Sequence, residues 1–534
     1  MFVVMTRERF WPMFNLRTFS TILIVILFLV SLGTATAQDP QYGGTLVFGA
    51  ESMGDSFDIG FWHGFGGVHV IDTIGEGLVR ADFENGGAQP GLAESWEISD
   101  DGLVYTFHIR EGMTFHDGEP VTADAIVRSM KRPINPDDPS YIEGMYMYGN
   151  QGASNWESLE AVDEHTIVLT LMQPNATQLL VFSRPDGVII SPKALDEYGT
   201  EVGLNVSAAG PFKIERFVPG QEAVLAANED YWAGRPYVDR VVIRADPDEA
   251  GILAALEAGE IDMTLYAPFT SVPRLQNSDN IRVEVGAPLV NLFAGANVAM
   301  APLDNLLVRS AINYALDREV LIEAGLNGFA EMPASLIGPL DLGFDESGRE
   351  ISVYDPERAR ELIAESGLET PIPLDLAYEN NRFWPQLAEL IAADLEAVGF
   401  DVTLDRLDTG SFWGKVGDGQ TQLSINQRST FVPDPHGKAI LMARAGAEGS
   451  QTQHHALQAA DELDALITAG ISTADPEERA AIYQEFQALM LEQLPYIYIG
   501  YLTPPIFVNK RVQNVETFGT AGGRINLRGV WLSE

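Results

Sequence analysis

The side chains that could turn over or grip another molecule are unevenly supplied in this sequence. Its 534 residues hold no cysteine, eight histidines, and 76 acidic residues against 33 Lys and Arg. Without a thiol there is no sulfur nucleophile, no Cys-based metal site and no disulfide. His108 and His116 flank the end of an expected hairpin, and His454 and His455 are adjacent, so they point apart in any regular element. His436, after Asp434-Pro435, is the histidine best placed to meet a ligand. Acids such as Glu84, Asp100 and Asp101 could be paired on paper as glycosidase carboxylates, but with so many acids chance pairs are inevitable and solvated surface is the plainer reading. Gly64-Phe-Gly66-Gly67 lacks the strand and helix context of a dinucleotide loop and reads as a turn. Neither a Walker A sequence nor a G-x-S-x-G elbow is present. No catalytic residue, metal site or cofactor is therefore assigned. What remains is recognition chemistry. Arg428 offers a planar, bidentate donor suited to a carboxylate or phosphate. Trp413, Tyr378, Trp384 and Trp62 are aromatic plates, with Asn380 and His63 beside them, and each plate serves core packing as readily as ligand contact.

Those residues need a scaffold, and the pattern supplies an α/β one. Residues 96–110 read as a hairpin through Asp100-Asp101-Gly102, with Leu103 to Arg110 rich in β-branched and aromatic residues. Thr122 is the N-cap of a helix over 123–131, with Asp124 in its first turn. A strand at 241–245, a helix at 248–258 closed by Gly259, and a strand at 261–265 form a β-α-β unit. A second α/β repeat follows: helix 356–365, Gly367, strand 373–378, then helix 385–397, Gly399, strand 400–407. Pro476 opens a helix to about 493, and 495–499 begins a final strand. Tyr378, Asn380 and Trp384 follow a strand end, where open α/β sheets bind ligands. Trp62 and His63 follow the first strand.

The chain is too long for one core and should hold at least two lobes. Its formal charge of -43 repels nucleic acid and anionic lipid and favours solubility, as in proteins adapted to saline surroundings. The N-terminus reads as an export signal: Arg7, Arg9 and Arg17, an apolar run over 21–32, and an Ala35-Thr36-Ala37 cleavage site. The expectation is cleavage near Gln38 and a mature protein free in the periplasm, not a lipoprotein since no cysteine exists to be acylated; an uncleaved anchor is the alternative.

Several ordered segments carry a family resemblance. Pro90 to Arg132, PGLAESWEISDDGLVYTFHIREGMTFHDGEPVTADAIVRSMKR, resembles the hallmark segment of the family 5 extracellular solute-binding proteins. Gly43 to Val47 is similar to that family's first strand, Ala208 to Lys213 to its GTGPY/F turn, and Asn228 to Tyr237 to its N-x-x-Y-W-x-G-x-P segment. Asp248 to Asp262 and Asn297 to Leu316 follow in the same order. The resemblance implies a two-lobed periplasmic binding protein fold with a two-segment hinge near 286–290 and 495–500. The first lobe would comprise 38–70, 206–285 and 497–534, with an inserted subdomain at 71–205, and the second lobe 286–496. It implies a monomeric receptor that delivers a small solute, a peptide or a related organic compound, to the transmembrane permease subunits of an ABC importer, without catalysis.

In the peptide-binding relatives a second-lobe loop reads Trp-x-x-Asp-x-x-Asp/Glu-Pro, its first Asp pairing with the ligand's amine. The matching stretch here, Arg428 to Pro435, keeps Asp434-Pro435 but places Arg428 at the Trp and Phe431 at the amine-pairing Asp. A buried ammonium without a partner costs several kcal/mol, roughly 3–5. The departure therefore predicts preference for an anionic or hydroxyl-rich group over a simple cationic-ended peptide, such as an oligosaccharide, an opine-like conjugate or a metal chelate. The other readings are a shifted register or a structural Arg428–Asp434 pair. A secreted hydrolase and a chaperone-like holder of unfolded chains are the rival functions.

Overall fold

Thr45–Ala50 and Arg240–Ala245 are short apolar runs that pair in parallel, and two sheets are built by extending such pairs. The computed structural model describes residues 39–61, 64–83, 87–145, 153–246, 248–288, 290–350, 352–429, 432, 434–444, 452–518 and 524–533. The expected export signal lies outside them. Residues 42–534 form one compact unit.

In the first sheet the strands run in the order Ile281–Val285, Pro505–Asn509, Met263–Thr264, Thr45–Ala50, Arg240–Ala245, Glu222–Ala227 and Phe212–Val218. The second has the order Ala330–Glu331, Tyr496–Leu502, Val290–Ala296, Leu423–Arg428, Ile372–Glu379 and Phe400–Leu407. A separate antiparallel sheet joins Ala93–Ile98, Val104–Ile109, Thr166–Leu171 and Trp156–Asp163. The result is an α/β fold built on two mixed sheets, with a further antiparallel sheet between residues 93 and 171.

Local chemistry explains the elements. Ser99 to Leu103 closes the expected hairpin, with Gly102 at φ +70°. The Thr122 hydroxyl accepts from the Ala125 amide at 3.2 Å and starts helix Ala123–Lys131. Helices Glu249–Ala258 and Pro356–Ser366 are capped by Asp248 and Asp355 and stopped by left-handed Gly259 and Gly367. The His116 ring meets the Gly210 carbonyl at 3.1 Å, tying the hairpin loop to the glycine-proline turn.

One boundary differs from expectation. The crossing near 495–500 is occupied by strand Tyr496–Leu502, which pairs with Val290–Ala296 and Ala330–Glu331 in the second sheet. Every residue of that strand is buried, and a strand covered on both faces carries no alternation to say which sheet it joins. The chain changes sheet at Thr503-Pro504 instead. The other crossing follows Val285, and the Gly286 amide donates to the Pro504 carbonyl at 2.9 Å, so the two crossings touch.

Candidate functional site

Parallel strands put their carboxyl ends along one edge. In the first sheet Ala50 stands level with Ala245 and Gly49 with Thr264. Glu51, Asp246 and Tyr266 therefore leave the sheet side by side, next to the start of helix Glu249–Ala258. Beneath them the buried Tyr266 hydroxyl lies 2.9 Å from His69 Nε2, and Phe48 packs edge-on against both rings. Burial, and then the Glu51 carboxylate, push the Tyr266 phenol well above its ordinary range, so it stays a neutral donor.

In the second sheet Glu379 is level with Leu407, and Ala377 with Ser424. Arg428 is the last residue of strand Leu423–Arg428 and pairs with Asn291 on its other side. Helix Thr409–Gly417 starts at the same end, capped by Asp408, which accepts from the Ser411 amide at 3.0 Å. It presents Trp413, and the Arg428 guanidinium lies 4.2 Å from the centre of that indole. Burial pushes Arg428 down to about 10, with Tyr496 and Glu379 acting the other way, so the group stays charged at neutral pH. Its one hydrogen bond among the described residues goes to the Gln427 carbonyl at 3.3 Å. No carboxylate among those residues forms an ion pair with it.

The two strand ends face one another. Phe383, beyond the second-lobe strand, packs against Phe269 from the first-lobe segment at 5.0 Å, and Phe329 lies 6.1 Å from the same ring. Arg382, held at φ +52°, acts electrostatically on Glu249 and Tyr266. Burial, opposed by Arg382 and aided by Glu51, raises the Glu249 carboxyl.

The other sequence candidates divide. Tyr378 and Trp384 are buried, 5% and 4% exposed, the latter against Phe383 at 4.6 Å. Asn380 is exposed at the strand end, where its side-chain oxygen accepts from Arg406. Asp434 is buried and bound in a two-pronged pair with Arg479, at 2.6 and 2.8 Å, while capping helix Pro435–Ala443 through the His436 amide at 2.9 Å. Its partner is Arg479 rather than Arg428. His436 is buried with Nδ1 2.9 Å from the Tyr483 hydroxyl, and burial holds its imidazole down to about 4. Both are structural in this arrangement. Phe431, Trp62 and His63 lie outside the described residues. Glu51, Glu249, Tyr266, Arg382 and Phe383 were not singled out from sequence, although Glu51 and Glu249 stand beside strand ends that the pattern had located. Among the described residues no group of three His, Asp or Glu is gathered as a metal site.

The family model for bacterial extracellular solute-binding proteins, family 5 Middle, matches residues 87–450. The chain belongs to this family. Among family relatives it is 28% identical to the glutathione-binding protein GsiB of Salmonella paratyphi A, over 83% of each chain. It is 30% identical to heme-binding protein A of Haemophilus influenzae, covering 77% of this chain and 79% of that one. Among solved structures, the periplasmic binding protein DppA of Helicobacter pylori, in complex with the peptide STSA, aligns with a TM-score of 0.80 at 27% identity, over 92% of this chain and 99% of that one. The family 5 fold thus accounts for the two sheets.

Proposed function

We propose that this protein is the extracytoplasmic receptor of an ABC importer, capturing a small organic solute between its two lobes and presenting it to the permease. The observation that carries this reading is that the ends of the two sheets meet, Phe383 packing on Phe269 and Arg382 acting on Glu249 and Tyr266, with the Arg428–Trp413 stack at the same end of the second sheet. Ligand pockets generally combine apolar walls with a few fixed polar groups. The Arg428–Trp413 stack suits a carboxylate or another anionic group on the solute, within a family whose relatives include binders of glutathione, heme and peptides. The chain acts as a monomer, exported and released from its signal segment; among the described residues no helix is long and apolar enough to cross a membrane.

No bond needs to be made or broken. Closure is favoured only by the difference in the solute's affinity for the closed and open forms, and a micromolar dissociation constant corresponds to about 8 kcal/mol. Native mass spectrometry of the protein purified from its own host tests this. One small molecule per chain, released on denaturation, is expected; turnover of added glycosides or peptides with nothing retained would overturn the reading in favour of a hydrolase.

A further inference from the structure

Three phenylalanines carried by different sheets meet in one buried cluster. Phe269 opens a short turn after the first-sheet strand Met263–Thr264. Phe329 stands immediately before strand Ala330–Glu331, and Phe383 follows strand Ile372–Glu379, both in the second sheet. The Phe269 ring lies 5.0 Å from that of Phe383, tilted by 40°, and 6.1 Å from that of Phe329, edge-on at 66°. Trp384 backs Phe383 at 4.6 Å. These are favourable separations for aromatic pairs. None of the three phenylalanines is more than 6% exposed, so the rings are spent on one another and leave little surface for a solute.

Each ring is mounted by its own segment. The Ser271 hydroxyl and amide both donate to the Pro268 carbonyl, at 2.6 and 2.9 Å, and fold the turn that carries Phe269. Phe383 sits at the N-cap position of helix Trp384–Val398, its carbonyl accepting from the Leu387 amide at 3.1 Å. Arg382 before it holds a left-handed backbone at φ +52°, a conformation that a residue with a Cβ keeps only where its surroundings fix it. The Phe329 carbonyl accepts from the Thr503 amide at 3.0 Å, beside the point where the chain changes sheet. The cluster therefore stands next to the two crossings that touch at Gly286 and Pro504. Separating the sheets about those crossings parts Phe269 from Phe383 and wets both rings, which opposes opening.

We propose that Phe269 and Phe383 form an interlobe latch that favours the closed form in the absence of solute. This rests on the solute-receptor reading above and adds to it a residue pair that tunes affinity without contacting the solute. The empty protein still exchanges between open and closed forms, and the latch shifts the balance. A solute that binds the closed form then has an apparent dissociation constant equal to its intrinsic one divided by the closed fraction. An aromatic pair of this kind shifts such a ratio about three- to tenfold.

The test is small-angle scattering of protein stripped by denaturation and refolding, as wild type, Phe269→Ala, Phe383→Ala and the double variant. Each single variant is expected to have a larger radius of gyration than wild type, with the closed-to-open ratio lowered about three- to tenfold. The double variant should be little more open than either single one, because both remove the same contact. Thermal melting checks that the variants fold. Phe269→Leu and Phe383→Leu, which keep the apolar fill and lose the ring pair, should expand the protein in the same direction by less, and they carry the test if the alanine variants do not fold. Equal radii for wild type and folded variants, or single-variant effects that multiply in the double variant, would overturn the latch. A host molecule retained in native mass spectrometry together with equal radii sinks the latch and leaves the receptor reading standing.

Discussion

Replacing Asp434 with alanine separates the two roles that sequence and structure give this residue. By position it belongs to the ligand-reading loop; in the fold it is buried, bidentate to Arg479 and the cap of the helix after it. Arg479 cannot escape to solvent on losing its partner. Its Nε donates to the Gly470 carbonyl at 2.7 Å and its guanidinium lies over the Tyr483 ring at 5.2 Å. Stranding a buried charge costs about 3–5 kcal/mol, and loss of the cap adds about 1 kcal/mol. The expected destabilisation is therefore about 4–6 kcal/mol, read as a lower urea midpoint for the second lobe with an unchanged slope. Adding Arg479→Met to Asp434→Ala should recover part of this loss, because the stranded charge is gone. Calorimetry with the solute that the protein retains from its host should show an affinity within about threefold of wild type, since no proposed ligand contact has been removed. An unchanged urea midpoint with abolished solute binding would refute the structural assignment.

Other outcomes follow from the same geometry. Trp413→Ala removes the plate under Arg428 and should weaken solute binding by about 0.5–2 kcal/mol, measured by calorimetry, with little change in melting; an unaltered affinity would place Trp413 outside the site. Burial holds His436 at about 4 and His454 at about 3, against an ordinary 6.5. Below pH 6.5 the unfolded chain therefore takes up protons that the folded chain refuses, and each histidine should lower stability by about 1.4 kcal/mol per pH unit as pH falls from 6.5 towards 4. His454→Gln should flatten that slope by one histidine's share in urea titrations between pH 6.5 and 5.5. A Cβ on Gly286 would stand 3.1 Å from Pro504 Cγ and from its carbonyl oxygen. Gly286→Val should therefore slow or restrict lobe movement, seen as a smaller change in scattering radius on binding than in wild type.

Much of the scaffold was legible because its signals are local. Thr122, Gly259, Gly367 and Gly399 mark helix ends by cap chemistry alone, and the residues 99–103 turn fixes its hairpin. Strand Tyr496–Leu502 was visible as a strand but not as a member of the second sheet, because burial on both faces erases the alternation that would have assigned it. The site was only half legible. Arg428 could be named from its type and its place at the start of the matched segment, and Trp413 from its type and its position shortly before it. The true partner of Asp434 lies 45 residues further on, and nothing in the spacing indicates it. Glu51 and Glu249 were two acids among 76. The parallel register that sets Glu51 level with Tyr266 and the Phe269–Phe383 contact are both long-range, and neither is written in local sequence.

Small-angle scattering of the protein stripped by denaturation and refolding, before and after adding back the solute it retains from its host, tests the central claim most directly. A clamp that closes on its solute predicts a fall in the radius of gyration that saturates at one molecule per chain. Stoichiometric binding with no compaction would contradict it.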